Sequence, residues 1–114
     1  MIITLEGNPL SNNSIYKRGK GKSFYMTAKG KELKESYQWQ AKAQYKGKPL
    51  QRELRISISL YFGDKRKHDI DNYGKLLNDS LNGIVWEDDS QVVEGCVRKL
   101  YDKERPRIEI EIIE

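Results

Sequence analysis

The sequence predicts an α+β fold in one small domain, with elements in the order β-α-β-α-β-β and two helices packed on a mixed sheet. Three observations carry this. Leu54, Ile56, Ile58, Leu60 and Phe62 alternate with Arg55, Ser57, Ser59 and Tyr61, the period-2 signature of a strand with one buried face. Ile108, Ile110 and Ile112 alternate in the same way with Arg107, Glu109 and Glu111. Two further stretches repeat apolar residues at helical spacing: Leu33, Tyr37 and Ala41, then Ile70, Tyr73, Leu77 and Leu81. With 114 residues and no internal repeat, low-complexity tract or linker, residues 1–114 read as a single domain.

Met1 to Glu6 reads as a short strand, closed by the turn cluster Gly7-Asn8-Pro9-Leu10-Ser11-Asn12-Asn13, where Pro9 has no N–H for a sheet ladder. A basic arm or ribbon follows at about 11–26. It interleaves Lys17, Arg18, Lys20 and Lys22 with Tyr16, Phe24 and Tyr25, and its Gly19 and Gly21 favour mobility. Thr27 is placed to cap the first helix, which Gly47-Lys48-Pro49 ends. After the strand at 54–62 come a turn at Gly63-Asp64, a basic run and a second helix from about Asp69 to Leu81, stopped by Asn82-Gly83. An acidic turn, Glu87-Asp88-Asp89, leads to strands at Val92–Tyr101 and Arg107–Ile113. Cys96 is expected in the core, Trp86 beneath the acidic turn, and Trp39 at a dimer or DNA surface.

Composition removes several function classes. No stretch approaches the roughly 20 apolar residues of a membrane helix, and the N-terminus lacks a signal-peptide pattern, so a cytoplasmic protein with no membrane partner is expected. One cysteine and one histidine, Cys96 and His68, provide neither an internal disulfide nor a Cys/His zinc site. Any metal is therefore held mainly by carboxylates, which suits Mg²⁺ or Mn²⁺. No G-x-S-x-G nucleophile context is present. The net charge of +4 conceals an asymmetry: residues 1–68 carry 15 basic and 5 acidic side chains, residues 69–114 carry 6 and 12.

The chemistry concentrates in His68-Asp69-Ile70-Asp71-Asn72-Tyr73-Gly74-Lys75. With Asp69 as cap and Asp71 in the first helical turn, both carboxylates converge near the helix start, and Lys75 follows one turn later. Taken alone, the pair reads first as helix capping. Asp88-Asp89, in a loop that can return beside that start, alters the weighing, although a surface turn accounts for it equally well. Several carboxylates meeting in one place repel one another unless a cation neutralises them. Such an ion can orient a phosphodiester and activate water, and Lys75 can stabilise the more negative transition state. The substrate side is supplied by Lys17, Arg18, Lys20 and Lys22, by the lysines of the first helix, and by Lys65, Arg66 and Lys67 beside Asp69, because clustered cations and aromatics suit phosphate backbones and unpaired bases.

At these residues the sequence resembles the RusA-type Holliday junction resolvases of bacteria and prophages. The resemblance rests on Asp69-Ile70-Asp71-Asn72-x-x-Lys75, Asp79-x-Leu81-Asn82-Gly83 and Asp88-Asp89-x-Gln91-Val92, and extends to Pro9-x-Ser11-x-Asn13 and Tyr16. It implies a homodimeric α+β nuclease that uses Mg²⁺, or Mn²⁺, to make paired cuts in opposing strands of a four-way DNA junction during recombination and repair. It further implies that Asp69, Asp71 and Asp89 bind metal, that Asp88 assists, and that Lys75 is an essential cation. A two-fold enzyme suits a junction whose opposed strands present equivalent phosphates. Two other readings remain at this stage: a non-catalytic nucleic-acid-binding module, and a related nuclease for forks or flaps.

Overall fold

A computed structural model of the chain describes residues 1–19, 24–70 and 73–113. The predicted strands and helices form a four-stranded sheet in the order β1-β6-β4-β5, from β1 (Ile2–Glu6), β4 (Leu54–Phe62), β5 (Val92–Tyr101) and β6 (Arg107–Ile113). β6 runs antiparallel to both β1 and β4, whereas β5 runs parallel to β4, so the sheet is mixed. The helix α3 (Gly74–Leu81) lies in the connection between the two parallel strands, as a parallel pair requires. α2 (Ala28–Gln44) follows the arm, whose short pieces are a helical turn α1 (Asn12–Ile15) and a ribbon of β2 (Tyr16–Arg18) paired with β3 (Phe24–Met26). Among the described residues, no helix is long and apolar enough to cross a membrane.

The sheet buries Ile3, Leu5, Ile56, Ile58, Leu60, Ile108, Ile110 and Ile112 against Tyr37 and Ala41 of α2 and Leu76, Leu77 and Leu81 of α3. Thr27 caps α2 as expected, its Oγ1 accepting from the Gly30 N–H at 3.1 Å. β4 departs from the expected one-sided burial, because Ser57 and Ser59 on its other face are buried as well. The guanidinium of Arg98 on β5 lies over them and donates to both hydroxyls, at 3.0 and 3.1 Å. Cys96 is exposed rather than in the core, because β5 is an edge strand and presents most of its length to solvent. Trp39 is exposed as expected, and Trp86 is fully buried.

The two edges of the sheet differ. Along β1, two glutamines of α2 reproduce the pairing of a neighbouring strand. Gln44 accepts from Thr4 N–H at 2.7 Å and donates to Thr4 C=O at 2.6 Å, and Gln40 accepts from Glu6 N–H at 2.6 Å. These bonds block one edge against further strand addition. β5 has no such cover among the described residues, and it exposes Val93, Val97, Leu100 and Tyr101.

The arm is joined to the body at Gly30. A Cβ there would meet Ile15 Cγ2 at 2.5 Å, Met26 Cγ at 2.9 Å and the Ile15 carbonyl at 3.0 Å, so α1, β3 and α2 meet only over a bare Cα. Gly30→Ala is expected to destabilise the protein by about 1–3 kcal/mol through overpacking. Urea denaturation measures this, and an unchanged midpoint would show that the junction is slack.

Candidate functional site

The first half of the site forms where β4 ends. Gly63 turns the chain at a point where a Cβ would lie 2.9 Å from Pro106 Cγ, and its N–H donates to Asn8 Oδ1 at 3.0 Å. Beyond the turn, the His68 ring stacks on Phe62 with centroids 3.9 Å apart and planes 6° from parallel. Its Nε2 lies 2.9 Å from Asp64 Oδ1 and its Nδ1 lies 3.1 Å from the Tyr73 hydroxyl. The bond to His68, followed by the Arg66 N–H, holds the Asp64 carboxyl below the usual carboxylate range. Burial, then the charges of Asp64 and Asp69, push the Tyr73 hydroxyl up. Asp69 is thus exposed at this end of the sheet, within electrostatic reach of Tyr73.

This arrangement corrects the expected helix boundary. α3 begins at Gly74, with Tyr73 at its N-cap position, so Asp69 does not cap it. Ring contacts of both His68 and Tyr73 with Phe62 hold these two residues against the strand end. Asp71 and Asn72 lie outside the described residues.

Beside His68 opens a cavity of about 280 Å³, lined by Phe62, Asp64, Lys65, Arg66, Lys99 and Tyr101 among others. It lies at the carboxyl ends of the two parallel strands, where open sheets commonly bind ligands. Lys65 Nζ sits 4.9 Å from the centroid of the Tyr101 ring, and Lys99 Nζ donates to the His68 carbonyl at 3.4 Å. Lys67 is exposed on the same loop. Lys99 and Tyr101 are additions that the sequence reading did not select; their place is set by β5 running parallel to β4.

Lys75 stands in the first turn of α3, its Nζ 3.5 Å from Asp79 Oδ2 and 4.7 Å from the centroid of the Tyr16 ring. Lys17 and Arg18 follow Tyr16 on β2 and are exposed, whereas Lys20 and Lys22 lie outside the described residues.

The acidic turn falls elsewhere than expected. Asp89 Oδ1 accepts from Asn82 Nδ2 at 3.3 Å, and Asn82 is the C-cap of α3. The turn is therefore at the far end of the helix from Lys75, not beside its start. Asp88 is exposed and caps a 3₁₀ turn at Asp89–Gln91; hydrogen bonds from the Ser90 side chain and then its N–H keep its carboxyl below the usual range. Gln91 accepts from the Asp88 N–H at 2.8 Å and donates to the carbonyls of Leu50 and Arg52, which pins the turn to the strand entry. This reciprocal cap is a residue pattern readable in the sequence, Asp88-x-x-Gln91. Among the described residues, no three or more His, Cys, Asp or Glu side chains come together in a group that could hold an ion. The donor chemistry of the candidate carboxylates is that of a hard, oxygen-preferring divalent cation.

Asn82 also accepts from the buried Trp86 Nε1 at 2.7 Å, so one side chain orients both the indole and Asp89. Asn82→Ala is expected to destabilise the protein by about 1–3 kcal/mol, the penalty of a buried N–H left without a partner. Urea denaturation with Trp86 fluorescence as the probe measures it, and a loss below a few tenths of a kcal/mol would count against this role.

Comparison with known proteins bears on the whole of this chain. Residues 6–113 match the sequence model of the family described as Endodeoxyribonuclease RusA. The crossover junction endodeoxyribonucleases RusA of Enterobacteria phage 82 and of Escherichia coli K12 are each 31% identical over 113 residues, 98% of this chain and 92% of theirs. An uncharacterized protein of Bacillus subtilis, YqaN, is 50% identical over 48 residues, 42% of this chain and 33% of that protein. With a mixed sheet, a parallel pair crossed by a helix, and a family match that leaves out six terminal residues, the chain belongs to the RusA family of endodeoxyribonucleases.

Proposed function

We propose that this protein is a metal-dependent endodeoxyribonuclease that resolves four-way DNA junctions, working as a homodimer in DNA recombination and repair. Membership of the RusA family supports the activity, and the crossover junction endodeoxyribonucleases matched over nearly the whole chain support the substrate. Asp69, Asp71 and Asp89 are the proposed metal-binding carboxylates, Asp88 an assisting acid and Lys75 the cation that acts on the reacting phosphate. Mg²⁺, or Mn²⁺, suits these oxygen donors, and when bound it supplies Lewis-acid polarisation of the phosphodiester and a more acidic water. Lys65, Arg66 and Lys67 hold the flanking phosphates beside Asp69, while Lys17, Arg18, Lys20 and Lys22 form a DNA-contacting arm within the single domain.

The separation of the carboxylates along the fold carries the dimeric reading. Asp69 follows the last residues of β4, whereas Asp89 adjoins the C-cap of α3 and the entry to β5. The eight residues of α3 alone span about 12 Å. Oxygens sharing one Mg²⁺ each lie about 2.1 Å from it, so a chain with this separation does not close the site by itself. The uncovered edge of β5 offers the remedy. Two copies pairing β5 with β5 antiparallel about a two-fold axis bring the start of one strand, with Asp89, beside the end of the other, with Asp69. Each dimer then has two sites, one for each opposed strand of a junction.

Two experiments test this. Purified protein is expected to cleave a labelled four-way junction faster than linear duplex or a fork, only with Mg²⁺ or Mn²⁺ and not with EDTA. Asp71→Asn is expected to lower cleavage by more than a hundredfold while junction affinity stays within about threefold, since it removes a ligand charge with little change of shape. Salt-sensitive binding without turnover in any metal would sink the nuclease reading in favour of a binding module. The second experiment mixes two inactive variants, Asp71→Asn and Asp89→Asn, after dissociating and reassociating their subunits. If the site is shared, each mixed dimer regains one intact site and nicks one strand; if each chain builds its own site, the mixture stays inactive.

A further inference from the structure

Lys75 occupies a defined place, and the groups that define it are Asp79, from its own helix, and Tyr16, which lies 63 positions before Asp79 in the chain. The Tyr16 hydroxyl donates to Asp79 Oδ2 at 2.5 Å. The same oxygen lies 3.5 Å from Lys75 Nζ, and that ammonium sits 4.7 Å from the centroid of the Tyr16 ring. The three contacts close a triangle in which Tyr16 presents both its hydroxyl, to the carboxylate, and its ring face, to the cation. Tyr16 opens β2, directly before the exposed Lys17 and Arg18.

We propose that Tyr16 and Asp79 are positioning residues for Lys75, and that through them the DNA-contacting arm and the catalytic cation are held as one unit. This rests on Lys75 acting on the reacting phosphate. The physical need is plain. A lysine side chain has about 2 kcal/mol of rotamer entropy, and Lys75 is more than half exposed, so an unsupported ammonium would distribute over many positions. Only a cation already in place where negative charge develops lowers the barrier, and a displacement of about 1 Å can cost two orders of magnitude in rate. The ion pair by itself is four residues apart on a helix surface and contributes little to stability. What distinguishes it is the partly buried Tyr16 hydroxyl, which fixes the orientation of the carboxylate and keeps its proton because burial and Asp79 both push its pKa up. DNA held by Lys17 and Arg18 is thereby registered against Lys75 through a single intervening side chain.

The test uses Tyr16→Phe, which retains the ring and removes the hydroxyl, and Asp79→Asn, which retains the shape and removes the charge. In metal-free, DNA-free protein, the Lys75 side-chain ammonium signal of a ¹⁵N-lysine NMR spectrum is expected to report an ordered group in the wild type and an averaged one in both variants. With junction and metal in single turnover, both variants are expected to cleave about ten- to a hundredfold more slowly, with junction affinity within twofold. In a Lys75→Ala background, neither substitution is expected to slow cleavage further, because the group they position is gone. Equal slowing in both backgrounds would assign the two residues a structural role and overturn the proposal. So would a Lys75 signal unchanged by Tyr16→Phe. If the wild type or Lys75→Ala fails the cleavage comparison instead, the reading of Lys75 falls, and the NMR result still decides whether the clamp exists.

Discussion

The parallel pairing of β4 with β5 constrains everything else about the site. An antiparallel hairpin brings the end of one strand beside the start of the next, and acidic residues flanking its turn would be neighbours. A parallel pair returns the chain to the opposite end of the sheet, here through α3. Asp69 and Asp89 flank that return and are therefore held apart by the same ladder that stabilises the sheet. The register confirms how tightly the ladder is drawn: Arg55 to Phe62 pair in unbroken sequence with Glu94 to Tyr101, and one irregularity beside Leu54 admits the extra residue Val93 at the entry. No local rearrangement of the acidic turn closes that distance, since Gln91 ties the turn to the carbonyls of Leu50 and Arg52, and Asn82 ties Asp89 to the helix end.

The same topology makes β5 an edge, and the sheet treats its two edges oppositely. On β1, Gln40 and Gln44 occupy backbone groups that another strand would use, a device that keeps this side from growing. On β5, every residue after Val92 is exposed among the described residues, Val93 by 56% and Tyr101 by 46%. An edge so long and partly apolar is a hazard to a protein that works alone and an asset to one that pairs. Arg98, lying across the buried Ser57 and Ser59, stiffens the strand on one face, while Val97 lies over α3 on the other.

Much of the fold was legible because its signals are local. Alternation located β4 and β6, and Thr27 marked the start of α2, since a hydroxyl cap acts over three residues. The same locality explains the misplaced start of α3. Asp69 satisfies the rules for a cap, but His68 finds a stacking partner in Phe62 and a hydrogen bond to Tyr73, and neither contact is visible in a helical repeat. Cys96 is exposed for a related reason: cysteine is a common core residue, but residue type does not say whether its strand lies at an uncovered edge. In the site, residue types and spacings identified Asp69, Asp89 and Lys75 as candidates. Their separation was illegible, because it depends on whether two strands run parallel, and so was the bond from Tyr16 to Asp79.

The charge split of the sequence acquires a spatial meaning once the ends of the sheet are distinguished. The basic residues nearest the proposed chemistry, Lys65, Arg66 and Lys99, surround the cavity at the carboxyl ends of β4 and β5, beside His68. Hydrogen bonds at the acidic turn include those of Asp88 with Ser90 and Gln91, of Asp89 with Asn82 and of Glu87 with Gln51, all neutral partners. A phosphodiester approaching that turn by itself meets three carboxylates in succession, which repel it. A phosphodiester approaching the cavity meets cations but, in one chain, lacks Asp89. Neither end of a single chain therefore combines attraction for DNA with the proposed set of carboxylates. In the proposed dimer the two deficiencies cancel at each site, since the turn of one copy lies against the basic cavity of the other, and the negative charge that would repel the substrate is the charge that retains the metal.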